Sequence, residues 1–484
     1  TLTNGFHPVW MLITTLLFAL LGDMDGGLVV NIALTLLSLA TLGTGALIFA
    51  ICRELDSGPG GRQAGLAAAA LWLLNPYMLG ITHIGVEAPL AACAMAACAL
   101  LFLRLCRRWQ GGDAASRLTA LLGALLGLAC LCRTDSVFFT GCLGLAALVS
   151  MCRAPAPVAA WRGALLMGGT GGALLSPWLL WNLATFGRIT QDSARAITVH
   201  SHSQGAAAGV PELLWSRLGG TLEFWFSRLW TFSLLRSIPL LIFFAAVLLP
   251  PLVNRKLWPH SAGGSGSAQR RLLLAMAGAL CLTTSFYAGY FQYMQNWYFL
   301  GPSLFVAILA GMAVLSAHRT LAVLRFGTPG YLITAAFLSA MGVGLWVHGP
   351  ALWKRGFYPW HETYLQVAQK WLKPLSAKGR IGAFNSGIYG FFCDCGVVNL
   401  DGVVNGEVTD ALTRRELEAY LQRRQVKYLV DQEASLRSFS RFARPGFQRR
   451  LHRVAATRTV STGGDVQLVV YRPGTTSPRT PTTP

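Results

Sequence analysis

Long apolar runs recur along most of this sequence and restrict what it can fold into. Between Leu28 and Val347 the chain carries repeated apolar stretches of about 15 to 24 residues. An α-helix needs roughly 20 such residues to cross the hydrocarbon core of a bilayer. Only 12% of the residues are charged, about half the share expected in a soluble protein. The sequence therefore predicts an α-helical polytopic membrane protein.

Ten of the runs are interpreted as membrane spans. They are Leu28–Ile51, Ala64–Gly80, Ala88–Leu103, Leu118–Cys132, Val137–Met151, Gly163–Trp181, Ile238–Val253, Leu272–Tyr290, Tyr298–Leu315 and Leu332–Val347. One further run, Val9–Leu21, has only 13 residues and is too short to cross. We expect it to form an interfacial or re-entrant helix on the outer side.

The basic residues alternate between successive loops. Fourteen Lys and Arg lie in every second loop, whereas the short loops between them hold only Arg133. The positive-inside rule places the basic loops in the cytoplasm. This distribution also explains much of the net charge of +20, so we expect no nucleic-acid partner.

Ten crossings that start outside return the chain to the outside, which predicts the domain order. Residues 1–27 end an external loop and carry the short helix; residues 28–347 form the transmembrane domain, with an external loop at about 182–236. Within that loop, "LEFWFSRLWTF" has the composition of an interfacial aromatic helix. Residues 348–473, where helical and strand patterns alternate, are predicted to form an extracytoplasmic α/β domain, and residues 474–484 a disordered tail.

The 11 cysteines indicate neither a metal site nor a disulfide framework. Nine lie in or beside apolar runs and are expected to act as small hydrophobic residues. Cys393 and Cys395 form a C-x-C pair, whose spacing we interpret as too tight for an ordinary disulfide. No C-x-x-C or His-rich spacing points to zinc.

Six polar motifs fall on the predicted outer side. In order they are "TNGFHPVW", "GVEAPL", "CRTDS", "PWLLWNLATFGRIT", "QYMQNWYF" and "FNSGIYGFFCDCGVVNLDGVVN". This series resembles bacterial polytopic glycosyltransferases of the GT-C fold, in the group of polyprenyl-phosphate-dependent mannosyl- and arabinosyltransferases. The sequence departs from the pattern at Phe6 (usually Tyr), at Val86 and Ala88 around Glu87, at Thr134-Asp135 (usually Pro-Glu) and at Asn385 (usually Asp).

The resemblance implies a membrane enzyme that moves a sugar from a polyprenyl-phosphate donor to an acceptor hydroxyl, with inversion, outside the cytoplasmic membrane of a bacterium. It also implies a preceding span and an acidic external loop that supplies the main catalytic base. We expect that segment to precede Thr1, so that the sequence is an N-terminally truncated form. The lipid bilayer and a glycan, lipid or protein acceptor are the expected partners.

A carboxylate can act as general base toward the acceptor, and Arg or a divalent metal such as Mg or Mn can stabilise the leaving phosphate. Glu87 and Asp135 are therefore the candidate catalytic residues in this chain, and Arg133 is a candidate phosphate ligand. Each has a structural alternative: Glu87 at a helix N-terminus, and Arg133 with Asp135 as a neutralised turn.

The remaining candidates are substrate-binding residues. Asn4 and His7 would face the donor, or would cap the helix that begins near Pro8. Arg188 and Arg195 would bind phosphate, or belong to a solvated loop. His200 and His202 could ligate a metal only if they lay on a strand, and a flexible polar loop is the favoured interpretation.

Trp297 and Tyr298 would stack on a sugar, or anchor a span at the interface. In the tail, Asn385 and Asp401 would face the acceptor, or serve as turn residues of the α/β domain, which is favoured. Gly168 and Gly172, in "GGTGG", indicate close helix packing and not a nucleotide loop.

Two other function classes stay open from the sequence. A transporter or flippase for lipid-linked sugars would show two similar halves, and no such repeat is visible. A non-catalytic membrane scaffold would not need acidic and basic groups at the span mouths. The donor sugar, the acceptor and the oligomeric state cannot be told from the sequence.

Overall fold

The computed structural model describes residues 3–205 except 23, 114 and 156, residues 266–323 except 292–294, residues 358–472 except 460–463, and a few isolated positions. Three segments for which the sequence makes predictions lie outside the described residues: the span Ile238–Val253, the aromatic segment Leu222–Phe232 and the tail 474–484. The predicted span Leu332–Val347 falls outside them at all but isolated positions.

The chain divides into two compact units. The helical unit comprises His7–Thr185 and Ala208–Lys354, and the α/β unit comprises Thr1–Phe6, Phe186–Ala207 and Arg355–Pro484. The α/β unit therefore includes the N-terminal residues and the stretch after residue 185, in addition to the C-terminal region.

The described α-helices are α1 Pro8–Leu21, α2 Gly26–Leu55, α3 Pro59–Leu73, α4 Pro76–Thr82, α5 Ala88–Gln110, α6 Ser116–Cys132, α7 Val137–Cys152, α8 Pro157–Phe186, α9 Asp192–Gly205, α10 Gly266–Ser285, α11 Leu300–Val323, α12 Trp360–Val367, α13 Lys373–Leu375, α14 Ser386–Phe392, α15 Gly406–Thr413, α16 Leu417–Arg423 and α17 Glu433–Phe439. A 3-10 turn, Thr134–Ser136, precedes α7, and π-helical turns follow α10 and α12.

Five helical segments among the described residues are long and apolar enough to cross a membrane: Gly26–Leu55, Ala88–Gln110, Thr134–Cys152, Ala160–Phe186 and Trp297–Leu315. They confirm a helical polytopic membrane protein, while the count of ten spans stays a prediction. The apolar helices α1 and α6 are shorter. With 14 residues, α1 is about 21 Å long, less than the ~30 Å hydrocarbon core.

The predicted span Ala64–Gly80 is not one continuous helix. Helix α3 ends at Leu73 and α4 starts at Pro76, with Asn75 between them outside a helix. Proline has no amide hydrogen and disfavours helical backbone in the residue before it. Pro76 accordingly breaks the apolar run, which composition alone does not reveal.

Small side chains let the helices approach in the core of the helical unit. Helix α5 packs on α2, α6, α7 and α11, and many of its buried residues are alanine. Cys98 and Cys106 lie in the same core, 0% and 1% exposed, as expected for cysteines acting as small hydrophobic residues.

The basic loops meet at the same end of the helical unit. Glu54 forms ion pairs with Arg104 and Arg107, which joins two of the basic loops. Gln269, in a third, donates to the Leu55 carbonyl. The geometry therefore agrees with the alternation of basic and non-basic loops along the chain.

The α/β unit contains a five-stranded mixed sheet. The strands are β1 Arg380–Ala383, β2 Val397–Asn399, β3 Val426–Gln432, β4 Leu451–Thr457 and β5 Val466–Tyr471, in the order β2-β1-β3-β5-β4. β1 runs parallel to β2 and β3, whereas β5 runs antiparallel to β3 and β4. Apolar clusters pack on the sheet, one around Leu429 and Leu421 and the other around Val430 and Tyr389. The edge strand β4 was not predicted, because its exposed residues lack an apolar alternation.

The segment "TRRELEAYLQRRQ" has helical periodicity but does not form one continuous helix. Helix α15 ends at Thr413 and α16 begins at Leu417. Arg415 has φ +58°, a left-handed conformation that no helix continues through. The residues between the two helices form a turn.

The interpretation of the C-x-C pair is wrong. Cys393 and Cys395 form a disulfide, with their Cα atoms 5.1 Å apart, inside the usual range. The intervening Asp394 has φ +53°. Its left-handed backbone turns the chain and brings the two sulfur atoms together.

Candidate functional site

Three helix ends of the helical unit carry the charged groups of the candidate site. His7 is the residue before α1, whose first residue is Pro8. Glu87 precedes α5, at the helix N-terminus as the dipole interpretation expects, and its side chain makes no capping hydrogen bond. Arg133 ends α6 in extended backbone (φ −154°, ψ 127°), and Asp135 lies in the 3-10 turn that follows.

Arg133 joins the two carboxylates. Its Nε and Nη2 atoms donate to Asp135 Oδ1 and Oδ2, each at 2.8 Å, in a bidentate pair. Its Nη1 atom donates to Glu87 Oε1 at 2.9 Å. All three side chains are almost buried, at 7%, 11% and 15% exposure for Arg133, Glu87 and Asp135. Bidentate, charge-assisted bonds of this kind hold both carboxylates in fixed positions.

Aromatic and imidazole groups surround the ion cluster. His7 Nε2 lies 3.4 Å from Glu87 Oε1, and burial lowers the pKa of His7, which favours the neutral ring. Tyr287 donates from its hydroxyl to Asp135 Oδ2 at 2.5 Å. Tyr298 stacks on Tyr287 at 4.7 Å and lies under the Arg133 guanidinium at 5.3 Å. With neutral His7, one positive and two negative charges leave the cluster at −1.

The two carboxylates differ in what they can still accept. Both oxygens of Asp135 already accept hydrogen bonds, from Arg133 and Tyr287. Glu87 Oε1 is bound by Arg133, whereas Oε2 has no hydrogen bond to any residue that the structure describes. Between the two predicted catalytic acids, only Glu87 therefore has a carboxylate oxygen without a hydrogen bond to the described residues.

A small cavity lies beside the cluster. Its volume of about 30 Å³ holds a few waters at most, not a sugar ring. Arg133, Asp135, Trp297 and Tyr298 contribute to its lining. Tyr298 is 9% exposed and packs on Tyr287, so it is not a lipid-facing interfacial anchor.

The site does not provide ligands for a divalent metal within the described residues. No group of three or more His, Cys, Asp or Glu is arranged there to hold an ion. Glu87 and Asp135, the natural oxygen donors, are both bonded to Arg133. The Mg or Mn ion predicted from the sequence stays a prediction, and no step below depends on it.

Asn4 is a helix cap, but not of the helix that the sequence suggests. It is fully buried in the α/β unit, and its Oδ1 accepts from the Asp192 amide, the first residue of α9, at 2.8 Å. Its Nδ2 donates to the Thr190 carbonyl at 3.3 Å. Because the cap and the helix are 188 residues apart, the local sequence could not reveal the pairing.

The two predicted phosphate ligands after residue 185 are ion-paired. Arg188 is bonded to Asp192, and Arg195 Nη2 lies 2.7 Å from Asp410 Oδ1. Arg195 also lies 3.7 Å from the buried Asp192 carboxylate. Both arginines keep about 30% exposure, so neither is a fully solvated loop residue.

The H-x-H pair lies on α9, which corrects both the strand and the flexible-loop interpretations. The metal interpretation required a strand, and this segment is a helix. His200 Nε2 donates to the Asp401 carbonyl at 2.7 Å, and its ring packs edge-on against Phe439.

Asn385 and Asp401 both follow parallel strands of the sheet. Asn385 donates to Asp431 through its backbone amide and its Nδ2, each at 2.7 Å. Asp401 accepts from the Val403 amide in a turn where Gly402 has φ +82°, as the turn interpretation expects. Burial raises the pKa of Asp401 to about 6.

Sequence reasoning missed Tyr287, Asp192 and Asp431. Tyr287 stands among aromatic residues at a span end, where nothing distinguishes it from a lipid-facing anchor. Asp192 follows the "FGRIT" motif, and an acid flanked by two arginines could have been noticed. Asp431 ends the apolar strand β3, where a carboxylate is unusual enough to mark a buried polar site.

Comparison with known proteins gives the fold. No protein-family model matches this sequence, and no curated protein matches it significantly. Two structures of an oligosaccharyltransferase from Archaeoglobus fulgidus are similar, each with a TM-score of 0.52. One is tethered with an acceptor peptide containing the NVT sequon (14% identity); the other, AglB, is in complex with an inhibitory peptide and a dolichol-phosphate (12% identity). The chain covers 66% of the length of each.

A third similar structure is ArnT from Cupriavidus metallidurans, bound to undecaprenyl phosphate. Its TM-score is 0.52 at 13% identity, and the match covers 97% of this chain and 88% of that one. Identities this low establish a shared fold and not a shared activity. The chain therefore has the helical membrane fold of GT-C glycosyltransferases, as its motifs predicted.

Proposed function

We propose that this chain is a membrane glycosyltransferase that transfers a hexosyl or pentosyl group from a polyprenyl-phosphate donor to an acceptor hydroxyl. The reaction takes place on the extracytoplasmic side of a bacterial cytoplasmic membrane and inverts the anomeric carbon. The acceptor is a glycan, a lipid or a protein of the cell envelope.

The ion cluster at one end of the helical unit is the observation that carries the proposal. Charged groups near a bilayer are costly and mark functional sites by default. Glu87, Arg133 and Asp135 come from two separate loops, both predicted to be external, and are held by fixed hydrogen bonds. The fold shared with enzymes whose structures contain lipid phosphates supports the same assignment.

The chemistry follows from the groups that remain available. The acceptor oxygen bonds to the anomeric carbon as the bond from that carbon to the phosphate oxygen breaks, and a carboxylate takes the hydroxyl proton. Both oxygens of Asp135 accept hydrogen bonds from Arg133 or Tyr287, so we assign it a positioning role together with Arg133. We assign Glu87 Oε2 to the substrate, as the carboxylate oxygen of the cluster that takes the proton of the acceptor hydroxyl.

The phosphate of the donor needs a ligand other than Arg133, because Arg133 already binds two carboxylates. A cluster with net charge −1 repels a phosphate ester. Arg188 and Arg195, in the α/β unit, stay predictions as phosphate ligands, and each is ion-paired with an aspartate. Trp297, half-buried at the cavity, remains a candidate for sugar stacking.

The test is a transfer assay on the full-length gene product in membranes, with a panel of radiolabelled polyprenyl-phosphate sugars. Glu87→Gln keeps the hydrogen bond to Arg133 and removes the charge, so we expect kcat to fall 100-fold or more. Glu54→Gln, at the opposite end of the helical unit, is the matched control and should retain activity. A folded protein that transfers no sugar from any donor would point to a transporter or a scaffold.

A further inference from the structure

A second polar site lies in the α/β unit, at one edge of the sheet. β2, β1 and β3 are adjacent and parallel, so their carboxyl ends meet at that edge. Asn385 follows β1, Asp401 follows β2, and Asp431 lies near the end of β3. Ligands of open α/β sheets bind outside the carboxyl ends of the strands. The place of this polar cluster thus suits a binding site.

Asp431 fixes the orientation of Asn385. The Asp431 carboxylate is 0% exposed and has no hydrogen bond from Lys or Arg among the described residues. Its Oδ1 and Oδ2 atoms accept from Asn385 Nδ2 and the Asn385 amide, and Oδ1 also accepts from the Gln432 amide at 2.8 Å. The Asn385 side chain therefore cannot flip, although the residue itself is exposed.

The outward groups of the edge form a donor and acceptor pair. Asn385 Nδ2 is used by Asp431 and Ser435, whereas its Oδ1 atom has no hydrogen bond to the described residues. The neighbouring Ser386 Oγ accepts from Asn399 Nδ2 at 2.9 Å, so its own hydrogen remains to be donated. Next to it, exposed Gly387 has open space where a side chain would stand.

These features select the class of ligand. Each hydroxyl of a sugar both donates and accepts, and a fixed acceptor beside a donor matches two neighbouring hydroxyls. The carboxylates of Asp401 and Asp431 make the edge unsuitable for phosphate, and no described Lys or Arg bonds to these side chains. Gly387 leaves room for the ring to approach the backbone.

We infer that the carboxyl edge of β1, β2 and β3 binds a neutral, hydroxyl-rich glycan through Asn385 and Ser386, with Asp431 as the positioning residue. As the acceptor subsite, this assignment rests on the proposed function. As a sugar-binding site, it stands on the geometry alone.

The test measures binding separately from transfer. Full-length protein in lipid nanodiscs is examined by saturation-transfer-difference NMR, with the methyl glycosides of mannose, glucose and arabinofuranose and their disaccharides as probes. We expect saturation of at least one probe, reduced fivefold or more in Asn385→Ala and in Ser386→Ala. Gln369→Ala, an exposed amide elsewhere in the α/β unit, should leave the signal unchanged.

Asp431→Asn tests whether Asp431 positions Asn385. The variant retains the shape of the side chain, but its amide group cannot accept both hydrogen bonds that hold Asn385. We expect weaker binding in a variant whose cooperative thermal transition shows that it is still folded. Absence of saturation with every probe, or a signal unaffected by both Asn385→Ala and Ser386→Ala, would overturn the inference. Binding without sugar transfer would contradict only the proposed function, and transfer with unaffected probe binding only the glycan site.

Discussion

At the scale of single residues, the helical unit depends on one guanidinium. Arg133 bonds Asp135 in its own loop and Glu87, which is 46 residues away along the chain, and is itself 6% exposed. A buried charge with a good partner is close to neutral in its net effect on stability, whereas a buried charge that has lost its partner strongly destabilises the protein. Arg133 therefore matters mainly because its removal would leave two buried carboxylates without a cation.

Arg133→Gln should reduce the free energy of unfolding by about 3–5 kcal/mol, because two buried carboxylates lose their cation. The measurement is thermal unfolding of the purified protein in detergent. Arg104→Gln is the matched control: Arg104 is 54% exposed, and its ion pair with Glu54 should contribute about 1 kcal/mol or less. Equal stability of the two variants would show that the buried cluster does not need Arg133.

The pKa of Asp401 predicts a pH dependence of stability. Because burial raises this pKa to about 6, acidification from pH 6 toward pH 4 protonates Asp401 in the folded chain first and stabilises it. Asp401→Asn keeps the acceptor for the Val403 amide and does not titrate. We expect the variant to be about 1–2 kcal/mol more stable than wild type at pH 7.5.

That advantage should largely disappear near pH 4, because Asp401 is then protonated in the folded protein and about half protonated in the unfolded protein, where the pKa of Asp is about 3.9. Unfolding midpoints of both proteins, measured from pH 4 to pH 8, check the sign. A difference that stays constant over this range would show that Asp401 does not titrate with a raised pKa.

At the scale of elements, glycines set how closely α6 and α8 approach. The sequence pointed to Gly168 and Gly172, but an added Cβ at either position would meet none of the described residues. The contact is made instead by Gly171, whose neighbours are Gly123 and Gly127 on α6. A glycine-rich helix predicts close packing with a neighbouring helix. The rotation of the helix about its axis decides which glycine lies at the interface.

Gly127→Ala should therefore destabilise the helical unit. A Cβ at Gly127 would lie 2.8 Å from the Gly171 carbonyl oxygen, and such overpacking destabilises by about 1–3 kcal/mol. Gly144→Ala, on α7, meets nothing within 4 Å and should be neutral or stabilising by up to about 1 kcal/mol. Thermal unfolding of both variants distinguishes packing from helix propensity, and similar stability would argue against the α6–α8 contact.

At the scale of the whole molecule, the chain combines a helical membrane unit and an α/β unit, each with its own polar site. In the helical unit, basic loops meet at one end and the Arg133 cluster lies among loops of the other class. The positive-inside rule then predicts that the end with the basic loops faces the cytoplasm.

The orientation can be checked with fusions of the full-length gene. We expect green fluorescent protein inserted after Ser57 or Gly112 to fluoresce, because the loops between α2 and α3 and between α5 and α6 are predicted to be cytoplasmic. Alkaline phosphatase inserted after Ile84, or fused after Pro484, should be active, because it folds only outside. The reverse pattern would move the Arg133 cluster to the cytoplasmic side and contradict the extracytoplasmic reaction.

The sequence by itself determined the membrane class, most helix positions, the alternation of helices and strands in the C-terminal region and the short list of charged residues at the span mouths. These properties follow from local periodicity, run length and the cost of charge in lipid. The tertiary structure alone decided the partners: Arg133 with Glu87, Asn4 with α9, and Asp431 with Asn385. Such pairs join residues 46 to 188 positions apart, and they depend on how each helix is rotated and packed, which no local pattern encodes.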